Sequence, residues 1–237
     1  MRVQPFPSSA RLLLLSDLSQ SMGLGIHYPL DTAEVTLTEV VRSSQRIVSG
    51  ASAFALGGLK GGVACQHAAS GPPLKTFLFE ARDRDEQRMG GYVEHVLAAL
   101  EHVALTFGTM SLHNRLAILV PSAEFASQLR AVLQPKLPVR FPQRRFVLVS
   151  ALDAASVVLS SEDDATDAAG TEQWLAIDEV SEFDGLERLV VVAVDLDAPV
   201  DGGAADVLAA RSQLYRALTR AHLMVVVVQA ALPGGWL

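Results

Sequence analysis

The sequence predicts an α/β protein built on a mainly parallel sheet flanked by helices. Three observations carry this. Short runs such as LVVVAVD (189–195) and LMVVVV (223–228) are almost wholly apolar, as strands buried on both faces must be. Longer segments of helical period separate them. Half of the 237 residues are apolar and only 6% are aromatic, a composition suited to a sheet covered by helices.

In chain order, RLLLLS (11–16) reads as a short buried strand ending at Asp17, and the Gly- and Pro-bearing residues 23–33 as a loop. LTEVVRSSQRIVSGASAFAL (37–56) reads as a helix. Gly- and Pro-rich residues 57–73 form a loop or linker, and LKTFLFE alternates like a strand. Val93, Val96, Leu97, Leu100, Val103 and Ala104 recur on one face of an amphipathic helix. LAILV (116–120) is a strand, Pro121-Ser122 opens a helix through Leu133, and FVLVS (146–150) is a further strand. The acidic residues 160–172 are loop-like. WLAI and LVVVAVD are strands on either side of EVSEFDGLE, and a helix over 204–220 leads into LMVVVV. Helices of this length between strands predict parallel neighbours joined by right-handed crossovers. Ligands of open parallel sheets sit beyond the carboxyl ends of the strands, so the site is expected there.

The totals exclude several classes. A net charge of −7 argues against a generally basic nucleic-acid binder. The lone Cys65 rules out an internal disulfide framework and a cysteine-rich zinc site. No apolar run reaches the roughly 20 residues of a membrane span, and no signal peptide opens the chain. The expectation is an intracellular protein, cytoplasmic or nuclear, with no membrane association. One stretch departs from the acidic total. Residues 125–152 carry no Asp or Glu but hold Arg130, Lys136, Arg140, Arg144 and Arg145. They are either a phosphate-binding patch or a solvated face opposite the acids of 162–172.

Among chemical motifs, the phosphate cradle GxxxxGK[ST] is absent, and GGLKGG around Lys60 reads as a flexible loop. His95 and His102, seven apart beside Glu94 and Glu101, read as a helical face rather than metal ligands. Cys65, near His67 without a third orienting group, reads as a plain thiol. The run RSQLYRALTRAHLMVVVV (211–228) is different in kind. Its arginines either end a helix where the dipole favours a cation, or present a planar fork of donors to a phosphate. Those residues alone fit both.

Four stretches in order resemble superfamily 1 helicases of the UvrD/Rep type: LLLLSDLSQS, LTEVVRSSQRIV, FDGLERLVVVAVD and LYRALTRAHLMVVVV. They resemble in turn the family's Gly-Asp-x-x-Gln-Ser strand end, its Asn-Tyr-Arg-Ser-Ser segment, its Gly-Leu-Glu strand entry and its Ala-Leu-Thr-Arg-Ala helix. Schlafen-like relatives are similar as well. The resemblance spans about residues 11–228 and implies a RecA-like fold of the P-loop NTPase type. Residues 1–34 would be a remnant of a first RecA-like domain, and 35–237 the C-terminal one. It implies that Gln20 and Arg42 approach the γ-phosphate, that Gly185 and Glu187 lie near the nucleotide, and that Arg220 is the arginine finger. It assigns no metal ligand.

Several positions depart from the family. Ser16 stands for its Gly, Val40-Val41 for its Asn-Tyr and Asp184 for its Lys. Its Thr/His contact to single-stranded nucleic acid is not recognisable around 179–181. The family's cradle and Mg²⁺-binding acids would precede Arg11. The expectation is therefore the C-terminal half of an ATP-dependent helicase or translocase, using ATP and Mg²⁺ only with an N-terminal RecA-like domain in cis or in trans. The alternative is a degenerate helicase-like module that binds a protein or nucleic acid without turnover.

Overall fold

The computed structural model describes residues 13–14, 17, 33, 35–37, 39–56, 64–67, 69–80, 85–158, 172–199 and 203–237. Its centre is a six-stranded sheet, parallel throughout, of β3 (Lys75–Phe79), β4 (Leu116–Val120), β5 (Arg145–Val149), β6 (Glu172–Glu179), β7 (Arg188–Val194) and β8 (Ala221–Ala230) in the order β3-β8-β7-β4-β6-β5. A separate two-stranded parallel ribbon pairs β1 (Glu39–Val40) with β2 (Ala64–Cys65).

Period-two alternation divides the central strands between two cores. Leu116, Ile118 and Val120 with Val190, Val192 and Val194 face α2 (Asp85–Phe107), α3 (Ala123–Leu133) and α4 (Leu137–Arg140). Ala117, Leu119, Val191 and Ala193 face α1 (Gln45–Ser52), α5 (Ala151–Val158) and α6 (Ala204–Thr219). Both faces being covered, residues 116–120 and 189–194 are apolar at every position, which is why they read as continuous runs. The α/β class with a parallel sheet flanked by helices is the one the sequence predicts. Among the described residues no helix is long and apolar enough to cross a membrane.

Several elements differ from the expectation. Residues 37–56 do not form one helix: β1 occupies 39–40 and α1 begins only at Gln45. The sheet explains this. β3 starts at Lys75, opposite Val226, leaving the first residues of β8 open on that edge. The Ser43-Ser44 backbone fills the gap, with Ser44 N donating to His222 O (2.8 Å), Ser43 Oγ to Ala221 O (2.9 Å) and Ser44 Oγ to Leu223 O (3.3 Å). Helix α5 and the ribbon strand β2 were not expected. Leu13 and Leu14, expected in a buried strand, are exposed and lie outside any strand; the remainder of 11–16 lies outside the described residues, as do Lys60 and residues 159–171. β6 runs from Glu172, so it takes in more than WLAI. β8 opens at Ala221, directly after the C-cap Arg220, rather than at Leu223.

Candidate functional site

Helix α6 and strand β8 meet with a single residue between them. Arg220 caps the helix with αR geometry, and Ala221 opens the strand, so the last helical turn is fixed to the amino edge of the sheet. Arg216 and Arg220, one turn apart on α6, are 6% and 4% exposed. Burying two guanidiniums requires countercharge. Asp184 supplies it: Arg216 donates to both carboxylate oxygens, its Nε to Oδ1 at 3.3 Å and its Nη2 to Oδ2, while Arg220 Nη2 lies 3.9 Å from Oδ1. Asp184 is held by the 3₁₀ turn Val180–Phe183 that connects β6 to β7, and its backbone N donates to Ser181 O (3.2 Å). Gly185 follows at φ 83°, a left-handed conformation that turns the chain toward Arg188.

Arg42 enters from the other side, carried by the Ser43-Ser44 segment. Its Nη1 pairs with Glu187 Oε1, and its Nη2 donates to Thr219 O at 3.5 Å. The second oxygen of Glu187 accepts from His222 Nε2 at 2.6 Å. Residues 42, 187 and 219–222, far apart in sequence, thereby converge at the amino ends of β7 and β8. Burial is the main influence pulling the Arg220 pKa down; Asp184 opposes it, and Arg42 and Arg216 add to it by like-charge repulsion. A guanidinium remains charged under these influences. Burial also raises the pKa of Tyr215 on α6, and the nearby Asp17 adds to the effect.

Of the sequence-predicted set, Arg42, Glu187 and Arg220 form one cluster with Gly185 in the turn beside it, and Gln20 lies outside the described residues. The cluster stands at the amino end of the sheet, because its residues precede β7 and β8 rather than follow them. The carboxyl end of β7 holds a self-contained network instead. Tyr92 Oη donates to Asp195 Oδ1, Arg88 Nη2 lies 3.4 Å from both Asp195 oxygens, and Gln229 Nε2 donates to Oδ1 at 3.3 Å. Burial raises the Tyr92 pKa, and the Asp195 carboxylate raises it further.

The basic stretch does not present a set of free cations. Lys136 pairs with Glu94 at 2.7 Å, Arg140 with Glu101, and Arg145 with Glu172 at 3.2 Å. Arg144 donates to the carbonyls of Met110 (3.1 Å) and Gly108, and Arg130 Nη2 to that of Ile177 (3.0 Å). Sequence reasoning missed the partners of Arg216 and Arg220. Asp184 was visible only as a departure from a lysine, and the four-residue spacing of the arginines was the available signal.

Among the described residues no group of three or more His, Cys, Asp or Glu side chains could hold a metal ion. His95 Nδ1 lies 2.8 Å from Gly91 O, and its ring stacks on Phe79. The Cys65 thiol donates to Ser43 O at 3.4 Å. The chain matches no protein-family model and no curated protein. Among solved structures it is similar to the C-terminal domain of a possible DNA helicase from Lactobacillus plantarum WCFS1, with 14% identity, a TM-score of 0.48, and 80% of this chain and 87% of that chain covered.

Proposed function

We propose that this chain provides the arginine finger and phosphate-sensing residues of an ATP-dependent nucleic-acid helicase or translocase. The observation that supports it is the convergence of Arg42, Glu187 and Arg220 at one end of the sheet, from three segments that resemble the helicase motifs in order. Guanidiniums held on rigid elements can stabilise the charge that builds on a transferring phosphoryl group without reorganising. Arg42 and Arg220 fit the terminal phosphates of ATP, with Gln20 coupling phosphate state to domain closure. The described residues offer no set for Mg²⁺ and no aromatic ring at Val40-Val41 for the adenine. The cradle, the Mg²⁺ ligands and base recognition would come from an N-terminal RecA-like domain, in cis or in trans. The nucleic acid would be single-stranded, and the protein cytoplasmic or nuclear.

One observation favours the alternative, a helicase-like module that binds without turnover. Asp184 engages the carboxylate-facing sides of Arg216 and Arg220, where the resembling family has a lysine. A phosphate would have to compete with that carboxylate.

The test is ATP hydrolysis by the full natural product, with its partner domain and single-stranded nucleic acid present, comparing wild type with Arg220→Lys. Loss of an arginine finger lowers turnover by about 10³-fold or more. Equal turnover in the two proteins would remove Arg220 from the reaction, and absence of turnover in the wild type would leave the binding module as the reading.

A further inference from the structure

Arg188, the first residue of β7, is 7% exposed, yet among the described residues it has no carboxylate partner. Its Nη1 donates to Glu187 O at 2.7 Å, and the guanidinium lies 5.5 Å over the ring of Phe183. These two contacts fix the plane of the group. Its Nε and Nη2 are buried and have no hydrogen-bond partner among the described residues. They are not an arbitrary pair. In a guanidinium whose Nη1 is engaged, the N–H bonds of Nε and Nη2 run parallel along the other edge and form the fork that receives two oxygens of one phosphate or carboxylate.

The surroundings make the orphaned fork expensive. Burial lowers the Arg188 pKa. A buried cation with two unmet donors is among the least favourable arrangements a core can hold, and an apolar side chain of similar length would be more stable there. Strain of this kind persists where a ligand relieves it. In the turn that leads into β7, a Cβ built on Gly185 meets no atom within 4 Å. Arg188 lies beside the Arg42–Arg220 cluster, its backbone N donating to Arg220 O at 2.9 Å, but among the described residues its guanidinium forms no ion pair with the cluster.

We infer that Arg188 anchors a second binding site, for an oxyanion of the phosphate or carboxylate type, at the start of β7 over Phe183. The site adjoins the proposed nucleotide cluster but uses neither the Arg42 nor the Arg220 side chain.

Thermal unfolding of this chain, titrated with inorganic phosphate and in parallel with acetate, against chloride at equal ionic strength, tests it. The expected wild-type result is a saturable rise in Tm with one of the two oxyanions, which also identifies the class. Arg188→Met should unfold at a higher temperature than wild type in chloride and lose the oxyanion response. Arg188→Lys keeps the charge but not the fork and should weaken the apparent affinity by about 10- to 100-fold, the loss expected for charge-assisted hydrogen bonds. Arg42→Gln, which removes a guanidinium of the neighbouring cluster, should keep the part of the response that Arg188→Lys weakens. The inference is overturned if phosphate and acetate stabilise the wild type no more than chloride does. It also fails if Arg188→Lys responds like wild type, or if Arg42→Gln abolishes the response while Arg188→Met retains it.

Discussion

Arg216 and Arg220 share one carboxylate, and that sharing sets how much of their charge a ligand can use. Asp184→Asn should therefore have two opposite effects. Stability should fall by roughly 1–3 kcal/mol, since a nearly buried guanidinium loses its countercharge. Affinity for inorganic phosphate should rise. Urea unfolding and a phosphate titration read the two, and a variant losing both stability and affinity would assign Asp184 to the ligand side of the site. Tyr92 gives a pH signature with a definite sign. Its folded pKa lies above its unfolded value near 10, so the stability it contributes is complete below about pH 10 and is lost as the pH rises further. Tyr92→Phe should flatten that alkaline loss in denaturant titrations run at successive pH values. At this scale motif order singled out Arg42, Glu187 and Arg220, and the fold brings those side chains together. The sequence was silent where the partner is set by the fold: nothing near Arg216 in sequence points to Asp184, and nothing near Arg188 shows that its neighbours lack an acid.

The elements were legible where burial is complete. β4, β7 and β8 are apolar on both faces, and α2 and α3 carry one apolar stripe each, so period and length identified them. Residues 37–56 misled because a mixed apolar and polar run fits a helix locally, while the open edge of β8 takes residues 43–44 as an extended segment. α3 begins where Ser122 Oγ accepts from Phe125 N at 3.2 Å, and Ser122→Ala should cost about 1 kcal/mol in chemical unfolding. The basic stretch is explained by its helices. Glu94 and Glu101 on α2 meet Lys136 and Arg140 across the interface, and Arg144 satisfies carbonyls at the end of α2. Arg144→Glu should consequently destabilise the fold by about 1–3 kcal/mol through unmet carbonyls, whereas Arg145→Glu, losing only an exposed pair, should change stability by less than about 1 kcal/mol. If reversal at both positions also lowers nucleic-acid affinity and its salt slope, those residues touch phosphate as well; an unchanged slope removes them from the interface.

Across the whole molecule, the parallel sheet places different chemistry at its two ends. The carboxyl end of β7 is closed by Tyr92, Arg88, Gln229 and Asp195, while the amino ends of β7 and β8 gather the arginines. Fold class was readable from composition and period, but the end of the sheet that gathers the motif residues was not. The general preference for carboxyl ends applies to loops that follow strands, and here the motif residues precede them. The two-layered core should be the main source of stability. Leu119, fully buried between β4 and the α1, α5 and α6 layer, should cost about 2–5 kcal/mol as Leu119→Ala.

The central claim is that the amino-end arginines read the terminal phosphate of a nucleotide. The most direct measurement is the affinity of the full natural product for ATP against ADP, in wild type and in Arg220→Lys. The account predicts tighter binding of the triphosphate, with the difference reduced about tenfold or more in the variant, as loss of an arginine–phosphate fork requires. Equal preference for ATP over ADP in the two proteins, or no preference in either, would contradict it.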